Sequence, residues 1–385
     1  MDFDPTPEQA LLRESVAALG QRYGHAYYVR KAKADAHTDE LWAEAAKLGY
    51  LGVSVPAEYG GGGGGITELA IVCEELAAAG CPLLLLVVSP AIAATIVARH
   101  GTPAQRSALL PGFADGTLKV CFAITEPDAG SNFHRLSTVA TRTGDGYTVT
   151  GRKVYISGVD ECAYLMVVAR MADERTGKLN PALFLVPTHA PGVEAKPIEM
   201  EIVSPERQFG VFLDDVRLPA DALVGSADAG LPALFSGLNP ERITVAAMGI
   251  GTARYALARA SSYVAGRAVW GRPIGTHQGV AHPLAHAAIQ VELARLMIAK
   301  AAALYDAGRE VEAGVAANLA KYASAETAAL AVDTAIQVHG GNGMSTEYGV
   351  ATLLGGVRAS RIAPVSREMI LNFVAQHVLG QERSY

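Results

Sequence analysis

The sequence predicts a mainly α-helical protein with a central β-domain, and three observations carry that expectation. Apolar residues recur at three- and four-residue spacing as far as Ala114, the period falls to two from Lys119, and helical spacing returns near Leu231. An order of helices, then strands, then long helices, without regular βαβ alternation, argues against a doubly wound dinucleotide fold. A chain of 385 residues also exceeds the roughly 250–300 at which one core stops growing. We therefore expect an N-terminal helical domain over 1–117, a middle β-barrel-like domain over 118–230 and a C-terminal four-helix bundle over 231–385.

The first helix is announced by "PTPEQALLRESVAALG", with Thr6 as its cap, Pro7 at the first helical position and Gly20 near its stop. "DELWAEAAKLG", "TELAIVCEELAAAG" and "TPAQRSALLPGFADG" follow with the same period. "CPLLLLVVSPAIAATIVA" is broken by Pro82 and Pro90 and reads as a buried helix, not as a membrane span. "KVCFAIT", "STVATRTGDGYTVTGRKVYISG", "YLMVVARM" and "ALFLVPT" are rich in β-branched and aromatic residues, with Asp145-Gly146 as a hairpin turn. "FGVFLDDVRLPADALVG" supplies the last strand. Helices over roughly 240–267, 283–308 and 310–339, and one through "SREMILNFVAQHVLG", complete the chain.

Composition removes several classes of function. A net charge of −6, from 32 basic against 38 acidic residues without a basic run, excludes nucleic acid as a natural partner. Cys73, Cys81, Cys121 and Cys162 lie in apolar contexts without C-x-x-C spacing, which fits buried free thiols and a cytoplasmic protein. The start "MDFDPTPEQA" lacks the features of a secretory signal. Gly60 to Gly65 carries no G-K-[ST] ending and reads as a flexible loop. His282 and His286 stand four apart but no carboxylate lies between them, so no metal is expected. No G-x-S-x-G elbow supports hydrolase chemistry.

The stretch "CFAITEPDAGSN" is different. A strand that ends in Thr125 and turns through Gly130 and Ser131 offers hydroxyls and free amides to a polar ligand. With "KVYISG" at 153–158, "LNPERI" at 238–243, "GRAVWGRPIGTHQ" at 266–278 and "IQVHGGNGMSTEYGV" at 336–350, it resembles the acyl-CoA dehydrogenase family over nearly the whole chain.

That resemblance implies FAD held by Phe122, Ile124, Thr125 and Ser131 on one segment and by Tyr155, Ile156 and Ser157 on a second, with Ser157 nearest the flavin N5. Arg267, Trp270, Gln278, Gln337, Gly340 and Gly341 match residues that reach the FAD of a neighbouring subunit in a homotetramer, and Ser366 and Glu368 match further flavin contacts. The implied substrate is an acyl-CoA or acyl-carrier thioester, contacted by Ser131, Asn239 and Arg242, and the implied electron acceptor is an electron-transfer protein. The reaction needs a carboxylate to remove the proton α to the thioester while a hydride leaves the β carbon for the flavin. Where many members carry that glutamate, this chain has Pro364. A minority, typified by isovaleryl-CoA and long-chain acyl-CoA dehydrogenases, places it in a motif like "LNPERI", which makes Glu241 the candidate base. Gly355 and Gly356 replace a frequent Arg-Asp pair and suggest an interrupted helix or altered packing. Two alternatives remain at this stage: a flavin monooxygenase or oxidase on the same fold, and a base-deficient subunit of a heteromeric dehydrogenase.

Overall fold

The computed structural model describes residues 4–173, 176–226 and 230–383. Helix α1 (Pro7–Lys33) opens with a reciprocal cap in which Thr6 accepts from the Gln9 amide and Gln9 reaches back to the Thr6 amide. The helix does not stop at Gly20. A Cβ there would lie 2.6 Å from the Ala79 Cβ, so the missing side chain serves close packing, and the backbone breaks instead at Gly24 (φ 69°). α2 (Asp39–Lys47), α3 (Ile66–Ala78), a wide-turn segment Val87–Ala94, α4 (Thr95–His100) and α5 (Pro103–Ala114) complete the first layer.

The glycine run is not a loose loop. Gly62, Gly63 and Gly64 donate their amides to the Gly52, Val55 and Val53 carbonyls at 2.9–3.0 Å, which zips the run onto the 52–55 segment. Small residues are needed because backbone packs on backbone there.

The middle region is one sheet of β1 (Val120–Ala123), β2 (Val139–Thr143), β3 (Gly146–Ser157), β4 (Tyr164–Ala172), β5 (Leu179–Pro187), β6 (Val193–Ile198) and β7 (Gln208–Pro219). Its order is β1-β4-β2-β3-β7-β6, with β5 also paired to β4. β4 runs parallel to β1 and β2, and the other pairs are antiparallel. The β2–β3 turn falls one residue early, at Gly144–Asp145, because Gly146 is already paired with both Thr143 and Pro219. The β3–β7 register slips between Lys153 and Ile156, and Tyr155 takes a left-handed backbone (φ 58°) at that slip.

The last layer contains α6 (Gly230–Gly266), α7 (Gln278–Asp306), α8 (Glu310–His339), α9 (Leu354–Ala359) and α10 (Arg367–His377). The first three pack pairwise, and α10 leans on α8. α6 starts ten residues before the Pro240 that the sequence suggests as its opening, so Pro240 is internal. Proline there cannot bond the Ser236 carbonyl one turn back, and that buried carbonyl accepts from the Tyr305 hydroxyl at 2.8 Å instead. α7 likewise begins at Gln278, ahead of Pro283. Gly355 and Gly356 do not interrupt a helix; they lie in the first turn of α9, where a Cβ on Gly355 would meet the Glu201 carbonyl at 2.7 Å.

The first and last layers are tied by a buried ionic cluster that joins four helices. Glu74 and Glu75 of α3 accept from Arg13 of α1, Arg254 of α6 and, for Glu74, Arg295 of α7.

Candidate active site

The polar corner after β1 is organised by a pair that the sequence reading did not single out. Lys153 of β3 is 0% exposed and donates to the Ile124 carbonyl at 3.1 Å, the Val168 carbonyl at 2.7 Å and Glu126 Oε1 at 2.8 Å. Glu126 also accepts from the Ser137 amide and hydroxyl and from the Thr138 amide. Burial alone would raise the Glu126 carboxyl, but these donors, Lys153 first, outweigh it and hold the group at about 2. Burial brings the Lys153 ammonium down to about 8 against the pull of Glu126.

Once pinned, the corner meets β3 directly: the Val154 amide donates to the Thr125 carbonyl at 2.9 Å. Phe122, Ile124 and Thr125 are thus brought beside Tyr155, Ile156 and Ser157. Phe122 and Ile156 are buried, whereas Tyr155 is 58% exposed and Ser157 donates to Gln208 Oε1 at 3.0 Å. Ser131 is exposed beside Gly130, where a Cβ would meet nothing within 4 Å. Phe133, just beyond, meets Phe235 of α6 edge-on at 6.2 Å and links the corner to the helix that carries Glu241.

A second group forms at the far ends of α6 and α8. Arg267, Trp270, Gln278, Gln337, Gly340 and Gly341 are all exposed, Trp270 at 87%. The turn after α8 is held to α6 by His339 stacked on Tyr263 at 4.2 Å and by Asn342 Nδ2 donating to the Tyr263 hydroxyl at 3.1 Å. A Cβ on Gly340 or Gly341 would project into open space. Among the described residues, no hydrogen bond or ring contact joins this group to the corner. An open glycine cradle, an uncovered indole and an exposed arginine suit an extended, anionic, aromatic ligand such as FAD, so these residues fit that cofactor.

The third group surrounds Glu241, one residue past Pro240. Solvent still touches part of the residue, but burial dominates the carboxyl and pushes it up to about 7, against the lowering influence of Arg242 and Lys321. Among the described residues no donor hydrogen-bonds this carboxylate. Arg242 donates to Asn239 Oδ1 at 3.0 Å. Lys321 of α8 is 1% exposed and donates to the Val365 carbonyl at 2.5 Å. Ser366 caps α10 by accepting from the Met369 amide at 3.3 Å, and the Glu368 charge acts on Lys321. The charges of Glu241, Arg242 and Glu368 thus act on one buried lysine, while Asn239 holds Arg242 and Ser366 follows the residue whose carbonyl the lysine meets.

Elsewhere, a cavity of about 610 Å³ opens between Gly63–Thr67, Arg99 and Asp306. The Asp306 carboxylate already accepts the Ile66 and Thr67 amides, so the α3 N-terminus there is satisfied from within the chain.

Helices, a seven-stranded sheet with a hydroxyl-rich corner, and a long-helix bundle that carries a partly desolvated glutamate define the class of acyl-thioester dehydrogenases. Family models bear this out: the N-terminal, middle and C-terminal domains of acyl-CoA dehydrogenase match residues 6–117, 121–215 and 228–379. Acyl-CoA dehydrogenase FadE12 of Mycobacterium tuberculosis H37Rv is 59% identical over 383 residues, covering 100% of this chain and 99% of its own. The glutaryl-coenzyme A dehydrogenase–glutaryl-CoA complex superposes with a TM-score of 0.94 at 28% identity, over 100% of this chain and 98% of that one. A chain from the structure of the electron transferring flavoprotein of Acidaminococcus fermentans superposes at 0.92 and 26%, over 98% and 100%. The chain belongs to the acyl-CoA dehydrogenase family, whose activity is FAD-dependent acyl-CoA dehydrogenation.

Proposed function

We propose that Glu241 is the base that removes the α-proton of the acyl thioester. The observation that carries this is a carboxylate raised to about 7 by burial and left without a hydrogen-bond donor among the described residues. Such a group is basic enough to take a proton near neutral pH and has no partner to lose when it does so. Pro364 cannot serve, since its side chain has no acceptor. Arg242, oriented by Asn239, and Ser131 border the thioester.

When bound, FAD supplies the acceptor for the hydride from the β carbon. We assign its binding to Phe122, Ile124, Thr125, Ser131, Tyr155, Ile156 and Ser157 from one side, with Ser366 and Glu368 towards the bundle. Arg267, Trp270, Gln278, Gln337, Gly340 and Gly341 would reach the cofactor of a neighbouring copy. Their exposure, and the lack of any hydrogen bond or ring contact among the described residues that joins them to the corner of their own chain, support a homotetramer whose sites are shared. We further propose an electron-transfer protein as acceptor. Buried free thiols at Cys73, Cys81, Cys121 and Cys162 suit a cytoplasmic setting. No helix among the described residues is long and apolar enough to cross a membrane.

The test is the visible spectrum of the purified protein, recorded anaerobically before and after a panel of acyl-CoAs. We expect bound flavin that bleaches with at least one thioester, and a Glu241→Gln variant that retains flavin but bleaches ~10²–10⁴-fold more slowly. A Gln variant that bleaches at the wild-type rate removes Glu241 as the base.

A further inference from the structure

The turn that follows α8 is gripped by one residue in the last turn of α6. The Tyr263 ring stacks on His339 at 4.2 Å and meets Tyr348 edge-on at 5.6 Å, and its hydroxyl accepts from Asn342 Nδ2 at 3.1 Å. His339 is fixed in turn by its Nδ1, which donates to the Ala335 carbonyl at 2.6 Å. Arg259, one turn earlier on α6, donates to the Tyr348 carbonyl at 3.3 Å. The two residues that Tyr263 holds, His339 and Asn342, stand on either side of Gly340 and Gly341. Tyr263 also reaches Arg267, because its carbonyl accepts the Arg267 amide at 2.9 Å. One residue therefore joins the exposed arginine, by its backbone, to the glycine turn, by its side chain.

We propose that Tyr263 is a positioning residue for the cofactor: it clamps both flanks of Gly340–Gly341 and ties them to Arg267, so that cradle and arginine meet the FAD of a neighbouring copy as one preset surface. This rests on the reading of Arg267, Gly340 and Gly341 as FAD contacts. The clamp answers a specific need. Gly340 has φ 59° and ψ −139°, a conformation open to glycine, and glycine loses more freedom on being ordered than any other residue. A turn already held in place loses less when its ligand arrives. The ring alone, as in phenylalanine, would keep His339; the hydroxyl adds Asn342, and with it the far side of the glycine pair.

The experiment measures how tightly FAD is retained. Flavin-loaded wild type, Tyr263→Phe, Asn342→Ala and the double variant are diluted in series, and the fraction of flavin released is read from its fluorescence. Each single variant should weaken retention ~5-fold, the size of one net hydrogen bond. The double variant should be no weaker than either single one, because both remove the same bond. Asn342→Leu replaces Asn342→Ala if the latter does not fold. Retention equal to wild type in Tyr263→Phe, or effects that add in the double variant, would overturn the proposal and leave Tyr263 a packing residue. Gly341→Val separates that result from failure of the underlying reading. A Cβ at Gly341 meets nothing within 4 Å in its own chain, so a small side chain there obstructs only what docks from outside. Retention should fall ~10-fold or more in Gly341→Val, as overpacking of a filled contact does. A Gly341→Val protein that holds FAD like wild type would show that the turn does not face the cofactor, and the reading of the cradle would fall with the proposal.

Discussion

The molecule contains two buried carboxylate–lysine centres built from the same ingredients and held in opposite states. At the sheet corner, Glu126 collects four donors and Lys153 three acceptors, and the acid is held at about 2. In the bundle, among the described residues, Glu241 has no donor and Lys321 one acceptor, and the acid rises to about 7. The difference lies in saturation, since both lysines are brought by burial to about 8. A saturated centre fixes backbone, because every proton is committed; an unsaturated one keeps a group whose protonation can change during turnover.

The sharpest way to break the comparison is to remove one charge from each centre in turn. Glu241→Gln should cost ~10²–10⁴-fold in flavin reduction with the fold intact. Lys153→Met should do the reverse, leaving Glu126 buried and uncompensated and lowering unfolding free energy by about 3–5 kcal/mol, read by denaturant titration. Flavin reduction in whatever Lys153→Met protein remains folded and loaded should keep its wild-type pH profile. A Lys153→Met protein as stable as wild type would show that the corner is not held by this pair.

Proton linkage gives the two centres opposite signs. Glu126 has a folded value of about 2 against an ordinary 4.5, so the unfolded chain binds the proton more tightly and stability is lost as pH falls from about 4.5 towards 2. Glu241, raised from 4.5 to about 7, binds its proton more tightly when folded, so its contribution falls as pH rises from about 4.5 to 7. Unfolding of wild type and Glu241→Gln measured across that window should give similar stabilities near pH 4.5 and a growing advantage for the Gln variant towards pH 7.5. Parallel curves would mean that Glu241 is not raised by the fold.

How legible this was in the sequence follows from the same contrast. The change of period at Lys119 and Leu231 foretold the layers, and α8 runs over Glu310–His339 as spacing suggested. Glu241 was visible because Pro364 emptied the commoner position. The sequence opens helices at Pro240 and Pro283, but both prolines lie inside α6 and α7, and at Pro240 the lost bond is replaced by the Tyr305 hydroxyl, which is distant in sequence. The glycine run looked loose because its hydrogen bonds are to a segment that propensity cannot see. Lys153 and Lys321 drew no expectation from the sequence, although each carried a signal: Lys153 follows Arg152 in a β-rich strand, so one of the two must face inward, and Lys321 sits on the alanine face of α8.

The smallest test asks whether the corner is as saturated as it looks. Thr138 gives its amide to Glu126 Oε1 at 3.0 Å, while its own hydroxyl is buried, makes no hydrogen bond of normal geometry, and yet lies close enough to help lower the Glu126 carboxyl. A Thr138→Val substitution keeps the branched shape against Gly151 and the donating amide, and removes only that hydroxyl. Removing a buried hydroxyl that makes no hydrogen bond of normal geometry should be neutral or slightly stabilising, within about 0.5 kcal/mol, because a desolvated polar atom is relieved. A loss of about 2 kcal/mol would mean that the hydroxyl turns to Glu126 as a fifth donor, and the corner would then owe its low acid value partly to a side chain free to rotate away. The contrast with Glu241 would become one of degree, set by how many donors happen to point inward. A neutral result keeps it one of kind: lysine and backbone amides fix the corner, and their near absence around Glu241 leaves that carboxylate available to the substrate.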